Sequence, residues 1–343
     1  MSQKRLGFFT RLLDNAPPQA RYRLATEQIR RAERAGFDTA WIAQHHFHEH
    51  EGGLPAPLVF LASVAAQTSR IRLGTAIITL PMENPLRVAE DAAVLDLLAA
   101  GRLEIGLGSG GTPASFLPFG LTSAQRREVF TRHLNTLLGA WRGETLGHPD
   151  NRLYPPAPQL ASRVWIATFS PEGAAQAGRD GHGLMLSRTQ PHPAGQPHPP
   201  LDAIQNPIID AYLAALPPGT APRILASRTA FVTDSRRHAR ALALPGLQAQ
   251  AAHHRALGHE VPGDTLDAYI AAFDVHLGTP EEVRASLLQD SCLPRVTDIS
   301  FQVHSIDPPH AEILRSIDLL AADVGPALGW SPAPLTSAKE ITA

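Results

Sequence analysis

Trp41-Ile42-Ala43-Gln44-His45-His46-Phe47 decides the fold: an apolar run stops abruptly at two adjacent histidines. Just before it, Gly36 closes a helical pattern over residues 21–35, with Leu24, Ala25, Ile29 and Ala32 on one side. Before that helix stands a first strand, Leu6-Gly7-Phe8-Phe9, and residues 39–43 form the second. The alternation continues downstream. A helix over 58–67 leads to an apolar, β-branched third strand over 71–80, stopped by Pro81. A helix over 88–98 leads to a fourth strand over 102–107, which runs into Gly108-Ser109-Gly110-Gly111. Connections longer than a hairpin loop predict parallel strands. A helix over 123–141, strand five over 164–167, a helix over 171–178 and strand six over 183–186 follow. Strand seven runs from 224 toward 232, strand eight covers 298–303, and a helix over 308–320 closes the series. Eight strands in this order predict an α/β fold, a (β/α)8 TIM barrel, whose strand ends gather on one face and line a pocket.

Composition bounds the function. The chain has 343 residues, 43% of them hydrophobic, enough for one large core. The expected organisation is a single domain over 1–330 with a C-terminal tail over 331–343. Charged residues are 18% and the formal net charge is -2, with no basic run, which argues against a nucleic-acid partner. A single cysteine, Cys292, excludes an internal disulfide framework. Neither a long apolar leader nor a run of about 18 apolar residues is present, so the expectation is a soluble, cytoplasmic protein without membrane association. Two stretches exceed a minimal barrel. Residues 143–160 are rich in proline and polar side chains. Residues 187–200 carry five prolines and two histidines directly after strand six, the position of an extended loop acting as a lid or pocket wall.

Imidazole exchanges protons near neutral pH, so His45 and His46 are the candidate catalytic residues. In an extended strand the two would point to opposite faces. His48, His50, Glu49 and Glu51 follow, but the sequence has no His-Glu-x-x-His motif and no cysteine ligand nearby, so no metal is expected. Gly108, Ser109 and Gly110 bring backbone amides close to whatever binds there. Ser170 is an N-cap candidate ahead of Pro171, and the free amides of that helix end suit a phosphate. Ser187 and Arg188 end strand six, with Arg188 a candidate charged clamp. Arg228 and Thr229 fall on strand seven, and Phe8, Trp41 and Phe47 are candidate apolar walls.

With these segments on the page, the chain resembles the bacterial luciferase-like family of flavin-dependent monooxygenases. The resemblance runs from Leu6 to about Asp323. It is carried by residues 36–47, by Leu73-Gly74-Thr75-Ala76-Ile77-Ile78-Thr79-Leu80-Pro81, by residues 84–91, by residues 101–110, and by Trp165-Ile166-Ala167 with Ser170-Pro171-Glu172. These segments are specific for the family and silent on the substrate. The resemblance implies reduced FMN as cosubstrate, molecular oxygen, a C4a-peroxyflavin that oxygenates a small organic substrate, a separate flavin reductase and a homodimer. It implies His45 as the base with His46 its neighbour, Ser170 on the phosphate, Gly173 as a backbone contact, and Thr75 and Ala76 beneath the flavin ring. At that point relatives often carry a non-proline cis peptide.

The chain departs from the family's pattern in three places. Gln44 stands where a glutamate usually precedes the histidines. Ser109 stands where the luciferase subunit has a phosphate-binding arginine, leaving the phosphate charge to amides or another cation such as Arg188. Phe169 replaces an acidic residue, which argues against light emission. An aldehyde substrate would yield an acid. A sulfonate would lose its carbon–sulfur bond and would need cations such as Arg188 or Arg228. The alternatives are an oxidoreductase that transfers hydride through the deazaflavin F420, and a flavin-binding protein or subunit without catalysis.

Overall fold

The computed structural model describes residues 4–191, 199–256, 258–303 and 308–332. The strands are β1 (Arg5–Thr10), β2 (Thr39–Ile42), β3 (Arg72–Thr75), the two-residue β4 (Ile78–Thr79), β5 (Leu103–Gly108), β6 (Val164–Ala167), β7 (Gly183–Leu186), β8 (Ile224–Val232), β9 (Val275–Gly278) and β10 (Asp298–Gln302). The helices are α1 (Pro18–Ala35), α2 (Pro57–Ala65), α3 (Pro85–Leu98), α4 (Arg126–Trp141), α5 (Pro171–Arg179), α6 (Leu201–Ala215), α7 (Arg236–Ala256), α8 (Leu266–Ala272), α9 (Pro280–Leu287) and α10 (His310–Leu319).

Every strand pairing is parallel. The order β1-β2-β3-β5-β6-β7-β8-β10 closes on itself, because β10 pairs with both β8 and β1. This is the eight-stranded barrel expected from the alternation. Helix starts follow the sequence signals: Asn84 accepts from the amides of Leu86 and Arg87 ahead of α3, and Thr279 and Glu282 form a capping box on α9. Gly36 takes a left-handed conformation at φ 98° and ends α1.

The structure departs from the reading of the sequence in three regions, the first being α6, a helix between β7 and β8 that was not read. The long third strand is two pieces. The chain leaves β3 at Thr75, passes a non-proline cis peptide between Ala76 and Ile77, and resumes as β4 against Leu107 and Gly108 of β5. Between β8 and β10 lie α7, α8, β9 and α9, none of which the hydrophobic pattern announced. There β8 runs past the barrel wall, and its end from Thr229 to Val232 pairs with β9. Of the loop after strand six, residues 192–198 lie outside the described residues, as do residues 333–343 of the expected tail. Among the described residues, no helix is long and apolar enough to cross a membrane.

Alternation along the strands fills the barrel in layers. At the bottom, Arg5 pairs with Asp298 at 2.7 Å, Arg72 with Glu104 at 2.6 Å, and Trp165 Nε1 donates to Glu104 Oε2 at 2.8 Å. Above them Trp41 meets Trp165 edge-on, ring centroids 5.7 Å apart, with Met185 and Leu225 in the same cluster. Gly74 makes room for this pair: a Cβ there would lie 2.2 Å from Trp41 Cε3. Phe9, Ala76, Ile77 and Ala167 pack on that cluster and remain partly exposed. They are the floor of the barrel's mouth.

Candidate active site at the mouth of the barrel

The floor lies at the strand ends, where β1, β3 and β6 contribute its side chains in turn. Phe8, a candidate wall in sequence, is one residue out of register with it: it points to the outer core and Phe9 enters the barrel. Trp41 sits beneath the floor. Thr75 is buried, and its hydroxyl donates to Gly106 O and accepts from Gly106 N, each at 2.9 Å. Both its bonds therefore hold β3 to β5, and the flat ledge above is left to Ala76 and Ile77. Gly108 closes β5 beside Ile77. Gly110 follows at φ 85°, where a Cβ would lie 2.7 Å from Thr79 and 2.9 Å from Phe116. Ser109 between them is partly exposed.

β2 has already ended at Ile42, so the two histidines stand in the loop beyond it, and there too they part company. His45 turns toward the mouth. Its Nδ1 lies 3.8 Å from Glu51 Oε2, too long for a hydrogen bond but close enough for strong electrostatic coupling. Glu51 also accepts from Thr112 Oγ1 at 3.2 Å. Burial pushes the His45 pKa down, Glu51 opposes this, and the positive charges of Arg11 and Arg188 reinforce it. Proximity to the His45 ring holds Glu51 below the usual carboxylate range. His46 instead enters an aromatic group, 5.0 Å from the Phe119 ring and 5.7 Å from Phe47, and its buried Nε2 has no hydrogen-bond partner. Burial lowers its pKa as well. Phe47, also a candidate wall in sequence, is 63% exposed and belongs to this outer group.

Gln44 shows what replaced the glutamate of the family pattern. Its Oε1 accepts from Thr79 N at 2.7 Å, and its Nε2 donates to Pro55 O and, at 2.6 Å, to Glu83 Oε1. The carboxylate has moved one partner outward, to Glu83, whose pKa burial raises.

At the end of β6, Ser170 caps α5 and its Oγ accepts from Gly173 N at 3.2 Å. The exposed carboxylate of Glu172 lies against its own amide and the Ser170 hydroxyl, contacts that lower its pKa, and Arg127 of α4 adds positive charge. Free amides at such a helix end, with positive charge from Arg127 nearby, favour an anion there. Arg127 was not among the residues singled out in sequence. Only the placing of α4 brings its charge to bear on Glu172, and no local motif marks it.

Ser187 and Arg188 follow β7. Ser187 Oγ accepts from Thr189 N at 3.1 Å, and its carbonyl accepts from Gln205 Nε2 at 2.7 Å. The resulting turn sends Arg188 inward, where it is 9% exposed. Its Nε donates to Gln302 Oε1 of β10 at 2.5 Å, and a terminal nitrogen donates to Thr229 Oγ1 of β8 at 3.4 Å. Its partners stand on the β8–β10 wall and not at the α5 end. Arg228 points out of the barrel, where Asp290 pairs with it at 2.6 Å. It is not a mouth residue, because its neighbours Ser227 and Thr229 take the inward positions.

The mouth therefore has two halves. From β1 through β3 to β6 it is a low apolar ledge leading to the capped end of α5, and from β7 through β8 to β10 it is polar and positively charged, with Arg11 just beyond β1. His45 stands at their junction. Among the described residues, no three His, Cys, Asp or Glu side chains are placed to hold a metal ion. A groove of about 650 Å³ on the outer layer, between α1 and α2, holds none of the titratable groups of the mouth.

Comparison with known proteins follows from this geometry. The family model described as luciferase-like monooxygenase matches residues 7–291. The uncharacterized protein y4vJ of Sinorhizobium fredii is 36% identical over 173 residues, 48% of this chain and 49% of that protein. An F420-dependent glucose-6-phosphate dehydrogenase of Kineococcus radiotolerans is 32% identical over 169 residues, 46% of this chain and 50% of its own. The alignment spans about half the length of such curated relatives. Among solved structures, monooxygenase RslO1 from Streptomyces bottropensis superposes with a TM-score of 0.74 at 28% identity, covering 94% of this chain and 99% of its own.

Proposed function

Because this chain belongs to the luciferase-like monooxygenase family, we propose that it is an oxygenase that uses reduced FMN and molecular oxygen to oxidise a small organic substrate. One observation carries the reading: an apolar ledge of Phe9, Ala76, Ile77 and Ala167 shares β6 and the turn after it with the Ser170-capped end of α5. Those are the two surfaces that a flat ring with a phosphorylated side chain needs. When bound, reduced flavin supplies the oxygen activation at its C4a carbon. The ledge and the amides of Gly108, Ser109 and Gly110 would hold its ring. Ser170, Gly173 and Arg127 would hold the phosphate in place of Glu172, which is free to swing outward.

The chain's own part is positioning, exclusion of water and proton management. His45 is the proton acceptor. Burial keeps it neutral at physiological pH, and Glu51 fixes the ring and favours the imidazolium once a proton arrives. His46, packed on Phe119, supports the wall. The reduced flavin comes from a separate reductase, and the assembly is a homodimer. Hydride transfer through F420 is the second reading, favoured by the match to the F420-dependent dehydrogenase.

Anaerobic titration with reduced FMN and with reduced F420, followed by an oxygen pulse, separates the two. Preferential binding of reduced FMN with rapid oxygen uptake is the expected result. Preference for F420 with no oxygen uptake would overturn the proposal.

A further inference from the structure

On the β8–β10 wall of the mouth a buried cation lies beside polar groups that lack hydrogen-bond partners. Arg188 is nine-tenths buried, and among the described residues no carboxylate lies against it. Its hydrogen-bonding partners are a neutral amide and a hydroxyl. Because Gln302 presents Oε1 to Arg188 Nε, its Nε2 must point away, and that nitrogen is buried with no partner. Next to it on the same wall, Ser300 and Ser227 sit opposite each other in register, and each has a buried hydroxyl with no partner. Arg11, from the end of β1, adds a second positive charge close enough to depress Arg188. Glu51, the carboxylate beside His45, faces that ring and accepts from Thr112.

Such an arrangement is unfavourable as it stands. A buried guanidinium without a counter-ion, beside an unsatisfied amide, carries a desolvation penalty that an acceptor-only group would relieve. A planar guanidinium also matches an oxyanion with two parallel bonds.

We propose that Arg188 and Gln302 form an anion-recognising subsite, so that the substrate carries a carboxylate or sulfonate head seated on the β8–β10 wall with its reactive carbon toward His45 and the ledge. This rests on the flavin reading for the reaction, but the binding step does not. It assigns Arg188 to the substrate and leaves the cofactor phosphate to the α5 end.

The test is calorimetric titration with four probes of equal chain length: hexanoate, hexane-1-sulfonate, 1-hexanol and hexylammonium. Each is run on the protein alone and on the protein with FMN. Binding of hexanoate or hexane-1-sulfonate, with neither of the others bound comparably, is the expected result, and the tighter of the two identifies the head group. Arg188→Met should weaken that binding about 30-fold or more while leaving FMN affinity unchanged. Gln302→Glu is nearly isosteric and gives Arg188 an internal carboxylate. It should fold at least as stably as the parent and lose anion binding, which keeps the proposal testable if Arg188→Met does not fold. Equal binding of 1-hexanol, unchanged anion binding in Gln302→Glu, or loss of FMN affinity in Arg188→Met would each overturn it. Anion binding by a protein with no affinity for either flavin would uphold the subsite and sink the flavin reading instead.

Discussion

His45 Nδ1 stands 3.8 Å from Glu51 Oε2, and the two groups pull each other's protonation in opposite directions. Burial lowers the His45 pKa from its usual value near 6.5, and Glu51 limits the fall. A base works when unprotonated, so activity should rise with pH through a limb lying below the normal imidazole range. Glu51→Gln removes the charge that opposes the fall. The limb should then move to still lower pH, and kcat should drop because the imidazolium loses the charge that stabilises it. The pH profile of kcat/KM reads both effects. A limb that moves to higher pH in Glu51→Gln would remove His45 as the titrating group.

The α5 end is testable by a ligand pair. Ser170→Ala removes the cap and the hydroxyl facing the proposed phosphate. FMN affinity should fall about tenfold, with riboflavin affinity unchanged. Arg127→Ala should act in the same direction by a few-fold, since the side chain is exposed and screened. Glu172→Gln should strengthen FMN binding, because it removes the carboxylate that competes for the same amides. Equal losses for FMN and riboflavin would show that the phosphate lies elsewhere.

How much of this was legible in the sequence depended on how local each signal is. Strand ends after β-branched runs, the Ser170 cap and the Gly36 stop are written within a few residues, and the barrel followed from the order of the elements; the Asn84 cap, ahead of the expected helix start, was not read. That His45 and His46 would point apart was readable from strand alternation, but which ring meets the mouth was not: with β2 ending at Ile42, loop geometry decides the direction of each ring. Phe8 and Phe9 were exchanged because the apolar run shows no alternation from which to set register. Arg188–Gln302 and the influence of Arg127 on Glu172 join residues far apart in the chain, and only the closed barrel and its helical layer bring them together. Pro207 inside α6 and Pro245 inside α7 are helix-breaking signals that packing overrides.

The tryptophan pair under the floor sets a packing limit. Gly74→Ala places a methyl carbon 2.2 Å from Trp41 Cε3, where neither β3 nor the indole has room to retreat. The expected loss of stability is about 1–3 kcal/mol, the range for overpacking a filled core. Urea unfolding followed by tryptophan fluorescence measures it. FMN affinity should fall with it, since the ledge of Ala76 and Ile77 rests on the same indole. A variant of unchanged midpoint would mean that the lower barrel is looser than its packing indicates.

Asp274 and His276 flank Val275 at the start of β9 and oppose each other in acid. Burial pushes Asp274 up to about 6 and His276 down to about 4. For Asp274 the folded value is raised, so its contribution to stability is complete below the unfolded carboxylate value near 3.8 and is lost as pH rises through about 6. For His276 the folded value is depressed, so its contribution is present above about 6.5 and is lost as pH falls toward about 4. Between pH 4 and 6 the two contributions therefore offset each other. Asp274→Asn keeps the acceptor for Leu201 N and suits the left-handed backbone at φ 47°. It removes only the charge, so it should raise stability at pH 7 by about 1 kcal/mol and leave it nearly unchanged at pH 4. The acid side of the stability profile then becomes steeper, since nothing offsets His276. Tm measured across pH 4–8 for both proteins decides it. A variant equally stabilised at pH 4 and pH 7 would show that the gain comes from the amide itself and not from the buried charge.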